Sequence, residues 1–302
     1  MLLYPLLAVL IWSGNAIVCK LAAGALEPAV IAFYRWFLAW LVMTPFLAVT
    51  AWRQRQMLRP YLGKIFILAL LGMALNQSLS YYAALTVSAI NMGIDNALIP
   101  LMTIVLSVWL LRERPTPGVV VGGILSLAGL IWLLSQGRPA QLLAQGISAG
   151  DGMMLLAVFS YAVYGVLLKR WQMPLSPWML LYLQASAGLV WLLPDFVLAD
   201  HWALDQHSWP LVLYAAFPAS LFATFCWLRG VQVLGANRTA IFMNLLPVFT
   251  AVIAILWLGE SWRSYHLWGG GMTLAGVMLC QFWRKPLRLP VALTPCSSQP
   301  HG

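Results

Sequence analysis

The sequence predicts an all-α integral membrane protein of ten transmembrane helices, arranged as two inverted five-helix repeats around a central cavity. Three observations predict it. The 302 residues are 62 % hydrophobic and only 8 % charged, against about 25 % charged in ordinary water-soluble domains. Apolar runs of spanning length recur along the whole chain, each needing roughly 20 residues to cross a bilayer. Finally, the second half of the chain repeats the first.

Hydropathy windows of about 19 residues place helices at 3–21, 29–51, 63–83, 89–111, 118–135, 152–170, 177–197, 209–229, 236–258 and 266–283. The breaks carry turn-forming and polar residues: Glu27-Pro28, Arg53 to Pro60, Arg112 to Pro117, Gln136 to Gly150, Pro174 to Pro177 and Asp200 to His207. The first helix ends in small residues (Ala22, Ala23, Gly24, Ala25), yet no basic segment precedes it and Lys20 interrupts the approach. It reads as a retained helix rather than a cleaved signal. The tail 284–302, with Pro286, Pro290, Pro295 and Pro300, is expected to be disordered and cytoplasmic.

Ten spans put both termini on one side. With both in the cytoplasm, only Lys20, Arg35, Arg138 and Arg263 of the 17 basic residues fall in the outer half. That asymmetry satisfies the positive-inside rule. The net charge of +9 is scattered in twos and threes between apolar runs, so it marks topology and not a nucleic-acid surface. Cys19, Cys226, Cys280 and Cys296 have no CxxC or regular spacing, and neither a disulfide framework nor a metal site is expected. No cofactor is implied; the expected partners are a small-molecule substrate and the lipid bilayer.

The repeat is explicit. An offset of 147 aligns 82–133 with 229–280 without a gap and matches Ala89/Ala236, Leu98/Leu245, Pro100/Pro247, Thr103/Thr250, Glu113/Glu260, Gly122/Gly269, Gly123/Gly270 and Leu127-Ala128-Gly129/Leu274-Ala275-Gly276. An offset of 149 pairs Leu6-Leu7-Ala8-Val9 with Leu155-Leu156-Ala157-Val158, Lys20 with Lys169, Pro28 with Pro177 and Pro45 with Pro194. The predicted domains are 3–135 and 150–283. Five helices per copy is odd, so the second copy enters the membrane from the opposite face, a transporter architecture with its site between the halves.

Several motifs recur in a familiar order: Trp12-Ser13-Gly14-Asn15 followed by Lys20; Pro28 with Phe33-Tyr34-Arg35; Ala97 to Pro100 leading to Leu110-Leu111-Arg112-Glu113-Arg114; and Leu245-Leu246-Pro247 leading to Leu258-Gly259-Glu260. On these residues, residues 3–283 resemble the EamA-type branch of the drug/metabolite transporter superfamily. The resemblance implies a secondary transporter of the bacterial inner membrane that exports amino acids or related small metabolites by alternating access. A toxic-compound efflux carrier is the alternative, ahead of a channel or a non-transporting scaffold. Departures from the repeat stand at Trp12/Tyr161, Asn15/Tyr164 and Arg35/Gln184.

Ionisable groups at membrane depth cost about 2.5–3.5 kcal/mol on insertion scales, so each is a candidate for function. Asp95 reads either as a protonation site or counter-charge, or as a structural ion pair with Lys20 or Arg35. Arg35, within Phe33-Tyr34-Arg35-Trp36, reads equally as an interfacial anchor. Asn76, Ser80 and Tyr82 lie in a polar strip whose amides and hydroxyls need partners in hydrocarbon, supplied by a wet cavity or by neighbouring helices. Trp12 and Asn15 share a helix face, as do their repeat counterparts Tyr161 and Tyr164, and aromatics with an amide can hold a planar or amphipathic solute. Asn96 and Asn244 flank Pro100 and Pro247, whose missing N–H frees the carbonyl four residues back.

Gly122-Gly123 and Gly269-Gly270-Gly271 suit close helix contact, not nucleotide binding, since no Walker lysine follows. The four histidines lie in loops, at a helix edge or in the tail, and no HExxH occurs. Gly146-Ile147-Ser148-Ala149-Gly150 matches GxSxG but lacks a preceding strand, so no enzyme is expected.

Overall fold

The computed structural model describes residues 2–22, 25–87, 89–112, 116–140, 149–249, 252–253 and 263–283. Glu113, Glu260 and the tail 284–302 lie outside the described residues. Among those described, every regular element is helical and no strand occurs. In chain order the helices are α1 (Leu3–Ala22), α2 (Pro28–Arg53), α3 (Arg55–Ala83), α4 (Ala89–Leu111), α5 (Pro117–Leu134), α6 (Ala149–Trp171), α7 (Pro177–Val197), α8 (Ser208–Leu234), α9 (236–249) and α10 (Ser264–Phe282). Five of these, α2, α3, α6, α7 and α8, are long and apolar enough to cross a membrane.

Two boundaries differ from expectation for local reasons. Helix α3 begins at Arg55, because Pro60 sits at the start of a 3-10 turn, Arg59–Tyr61, where its missing N–H costs nothing. Helix α8 runs on to Leu234 and stops at Gly235, whose φ of +84° suits a residue without Cβ. Thr116 and Ser176 cap α5 and α7 through their hydroxyls, each followed by proline at the first helical position.

At the start of α8 the Ser208 N–H donates to Asp205 Oδ1 at 2.7 Å. Hydrogen bonds from Ser208, aided by His207, hold the Asp205 carboxyl below the usual carboxylate range. A depressed folded-state value stabilises above the unfolded value and loses that stabilisation as pH falls through the folded one. Asp205→Ala is therefore expected to lower the thermal midpoint slightly at neutral pH, and acidification is expected to close the gap to wild type. A gap that persists in acid would rule out an ionised cap.

Polarity is arranged inside out. Phe46, Trp109 and Leu198 are 76, 76 and 82 % exposed, whereas Arg35, Gln184 and Thr273 are enclosed. Lipid is the solvent that suits such an exterior. Helix α5 packs on α10, α2 on α7, α1 on α8 and α3 on α6. The α5–α10 contact is backbone to backbone: a Cβ on Gly122 would stand 2.5 Å from the Gly276 carbonyl, and one on Gly129 would stand 2.7 Å from that of Gly269. The reverse holds equally, with Gly276 2.5 Å from Gly122 O and Gly269 2.8 Å from Gly129 O. Gly122 and Gly269 are repeat equivalents, as are Gly129 and Gly276, so each residue meets the equivalent of the other's partner. That exchange is the contact pattern of a two-fold axis, and it makes the two helices antiparallel.

The same correspondence appears in backbone geometry. Helix α3 opens into a π-helical segment at Leu70–Leu75 and α8 into another at Ala215–Phe222. Shifted by 147 positions, the first falls on 217–222, inside the second.

Candidate functional site

The two π segments are where the first helix of each half fastens onto the other half. A π turn shifts the hydrogen-bond register by one residue and leaves carbonyls open to outside donors. Trp12 Nε1 in α1 donates to the Ala219 carbonyl of α8 at 2.9 Å, and Ser160 Oγ in α6 donates to the Leu71 carbonyl of α3 at 3.2 Å. Two neighbouring contacts hold the same elements together. Tyr214 OH donates to the Ile11 carbonyl at 3.0 Å, and the Tyr164 ring fills the space left open at Gly72.

Fixed in this way, Trp12 enters an aromatic cluster with residues of the second half. Its ring centroid lies 6.3 Å from Tyr161, edge to face, and 5.2 Å from Trp227; Tyr161 stacks on Tyr164 at 5.4 Å and meets Trp227 at 5.9 Å. The structure thus brings Trp12, Tyr161 and Tyr164 together, and adds Trp227. Trp227 falls just outside the gap-free part of the repeat, 229–280, so the duplication does not single it out. Asn15 follows another course: Nδ2 reaches Cys19 Sγ at 3.5 Å, and its buried Oδ1 has no hydrogen-bond partner among the described residues.

Beside this cluster stands Arg35 of α2, which bonds Ser220, one residue beyond Ala219 in the same π segment. The side chain is 1 % exposed. Its Nε donates to Ser220 Oγ at 2.7 Å, and Nη1 donates to Gln77 Oε1 at 2.8 Å and to Tyr81 OH at 2.9 Å. The guanidinium carbon lies 5.8 Å from the ring centroids of both Trp36 and Tyr81. Interfacial anchoring is thereby corrected: an interfacial arginine extends to water, and this one is enclosed by α2, α3 and α8. Pairing with Asp95 is corrected as well, since the described partners of Arg35 are all neutral. The repeat counterpart Gln184 is equally buried; its Oε1 accepts from Tyr164 OH at 3.2 Å and its Nε2 has no described partner.

The polar strip of α3 serves several helices. Asn76 Nδ2 donates to the Ala157 carbonyl at 3.0 Å, Ser80 Oγ turns back to the Asn76 carbonyl at 2.7 Å, and Tyr82 OH donates to Asp195 Oδ1 at 2.9 Å. Gln77 and Tyr81, in the same strip, are the members that hold Arg35. In α4, Asn96 Nδ2 bonds the Met92 carbonyl of its own helix at 2.9 Å. Asn244 Nδ2 donates to Ser126 Oγ at 3.0 Å, tying α9 to α5, and its Oδ1 is left without a described partner. Pro100 lies within a continuous α-helix, whereas the residues before Pro247, Ile241–Leu245, tighten into a 3-10 turn. Asp95 is half-buried, with Oδ2 shielded and lacking a described hydrogen-bond partner; the Asp151 carboxylate of α6 is near enough to repel it. The side chain of Lys20 lies outside the described residues.

A helical membrane protein with a polar and aromatic interior assembled from both halves is the class these features define. The EamA-like transporter family model matches residues 1–135 and 148–281, and the chain belongs to that family. It is 28 % identical over 281 residues to an uncharacterized transporter of Archaeoglobus fulgidus, covering 90 % of this chain and 94 % of that protein. It is also 28 % identical to Protein PecM of Dickeya dadantii (72 % and 71 % covered) and 22 % identical to an S-adenosylmethionine uptake transporter of Rickettsia prowazekii (84 % and 83 %). A crystal structure at 18 % identity superposes with a TM-score of 0.74 over 92 % of this chain and 94 % of its own, which shows a shared fold. The protein is a multi-pass membrane protein of a transporter family.

Proposed function

We propose that this chain is a secondary transporter that carries amino acids or related small metabolites out of the bacterial cytoplasm by alternating access across the inner membrane. In this reading ten spans form two inverted five-helix repeats, 3–135 and 150–283, around a central cavity, and both termini are cytoplasmic. The observation that carries it is the aromatic cluster, in which Trp12 from one half meets Tyr161 and Trp227 from the other, with Tyr164 stacked on Tyr161. A solute held there is gripped by both halves, so rocking one against the other moves the opening from one face to the other. The reciprocal glycine contacts of α5 and α10 and the matched π segments support a two-fold relation between the halves. The uptake of S-adenosylmethionine by a relative supports a metabolite built on an amino acid as the solute class. Asp95 is the proposed proton carrier, and Asn15, Asn76, Ser80, Tyr82, Asn96 and Asn244 the proposed polar lining.

The test is counterflow in proteoliposomes, across a panel of labelled amino acids, polyamines and nucleosides. Saturable exchange of a solute that also slows when unlabelled solute is withdrawn from the far side is expected. Non-saturating leakage that ignores the far side would instead make the protein a channel.

A further inference from the structure

Arg35 is a buried cation whose three described bonds all go to neutral groups, Ser220, Gln77 and Tyr81. These partners orient the guanidinium without cancelling its charge, and Nη2 has no hydrogen-bond partner among the described residues. Two further buried donors close by are also unmatched. Trp36 Nε1 belongs to the ring beneath the guanidinium, and Trp227 Nε1 to the ring against Trp12. An uncompensated cation in a membrane interior is costly, and buried donors without acceptors add to the cost. A structural arginine is normally given a carboxylate; here the matching position in the second half is Gln184, so the positive charge is on one side of a nearly symmetric interior.

We propose that Arg35 binds the carboxylate of the transported solute, with the rest of the solute lying against the Trp12, Tyr161 and Trp227 rings. Trp12 and Arg35 bond consecutive residues of α8, Ala219 and Ser220, which sets the cation beside the aromatic cluster. The two N–H groups of Nη2 are the donors these bonds leave over, and a carboxylate oxygen is the acceptor that makes a charge-assisted bond with them. A monoanion balances the single charge, whereas a phosphate dianion would leave an excess negative charge in a low-dielectric site. This assignment rests on the transporter reading and narrows it to solutes that carry a carboxylate.

Binding to purified protein in nanodiscs separates the two. A panel of tritiated L-amino acids is bound and then competed with each unlabelled acid and with its carboxamide, which differs only in lacking the negative charge. For wild type the amide is expected to compete about 10- to 100-fold more weakly than the acid. Arg35→Gln is expected to bring the acid down to the level of the amide, and Arg35→Lys to recover part of the difference. Equal competition by acid and amide in wild type overturns the assignment and needs no variant. So does an Arg35→Gln protein that weakens both alike, the mark of a purely structural role, or a monodisperse wild type that binds none of the acids. Acid-selective binding without any counterflow would sink the transport reading and leave the Arg35 site standing.

Discussion

Gly276→Leu is expected to abolish the recovery of folded, monodisperse protein from membranes. A Cβ at this position stands 2.5 Å from the Gly122 carbonyl oxygen, 2.5 Å from the Ser126 nitrogen and 2.7 Å from Ser126 Cβ. Two of these obstacles are backbone atoms, so no rotamer change relieves the clash and the helices must separate. In a bilayer there is little hydrophobic drive to hold them together, because lipid tails are as apolar as leucine; close packing of small residues and interhelical hydrogen bonds do that work. Separation would also break the Thr273 Oγ1 contact to the Ser126 carbonyl at 3.4 Å. Overpacking alone costs about 1–3 kcal/mol where a core can adjust, and here the backbone atoms in the way leave little room to adjust. Gly271 is the control: nothing lies within 4 Å of its Cβ, so Gly271→Leu faces open space and is expected to behave as wild type. Fluorescence-detected gel filtration and thermal melting of the two variants decide it, and equal behaviour would show that the α5–α10 contact is dispensable.

That contact marks where sequence reading stops. The alignment at offset 147 makes Gly122 equivalent to Gly269 and Gly129 to Gly276, but equivalence is not contact. Only the folded arrangement crosses the pairs, Gly122 to Gly276 and Gly129 to Gly269. Helix positions were readable because a spanning helix must carry a long apolar run, whatever its neighbours do. The π segments were not, since Leu70–Leu75 and Ala215–Phe222 contain no composition that distinguishes them from ordinary apolar helix; outside donors such as Trp12 and Ser160 are part of their environment.

Arg35 shows the same limit for the site. Local sequence left an aromatic-flanked arginine free to be an anchor, because its partners are 42, 46 and 185 residues away along the chain. Trp12, Tyr161 and Tyr164 stand at departures from the repeat and are legible for that reason, whereas Trp227 lies outside the gap-free alignment that begins at 229 and only the fold brings it to Trp12. Departures from the repeat therefore carry as much information about the interior as the matches do.

Asp95→Asn is expected to leave solute exchange intact and to remove its response to a pH gradient. The carboxyl lies on α4 against α6, and its Oδ2 is shielded from water with no hydrogen-bond donor among the described residues, while Asp151 faces it across the helix contact. A shielded oxygen with no committed donor can accept a proton and release it without dismantling a structural bond, which an aspartate locked in an ion pair cannot do. Asparagine keeps the shape and loses the exchangeable proton. With one proton moved per solute, a gradient of about one pH unit is worth about 1.4 kcal/mol and supports roughly tenfold accumulation. Wild-type proteoliposomes are expected to approach that ratio, and Asp95→Asn vesicles to stop at equal concentrations while still exchanging labelled for unlabelled solute at a comparable rate. Accumulation by the variant to the wild-type ratio would remove Asp95 from the proton path. Loss of exchange together with accumulation would make it a residue of the solute site or of the fold, and coupling would then have to be sought elsewhere in the interior.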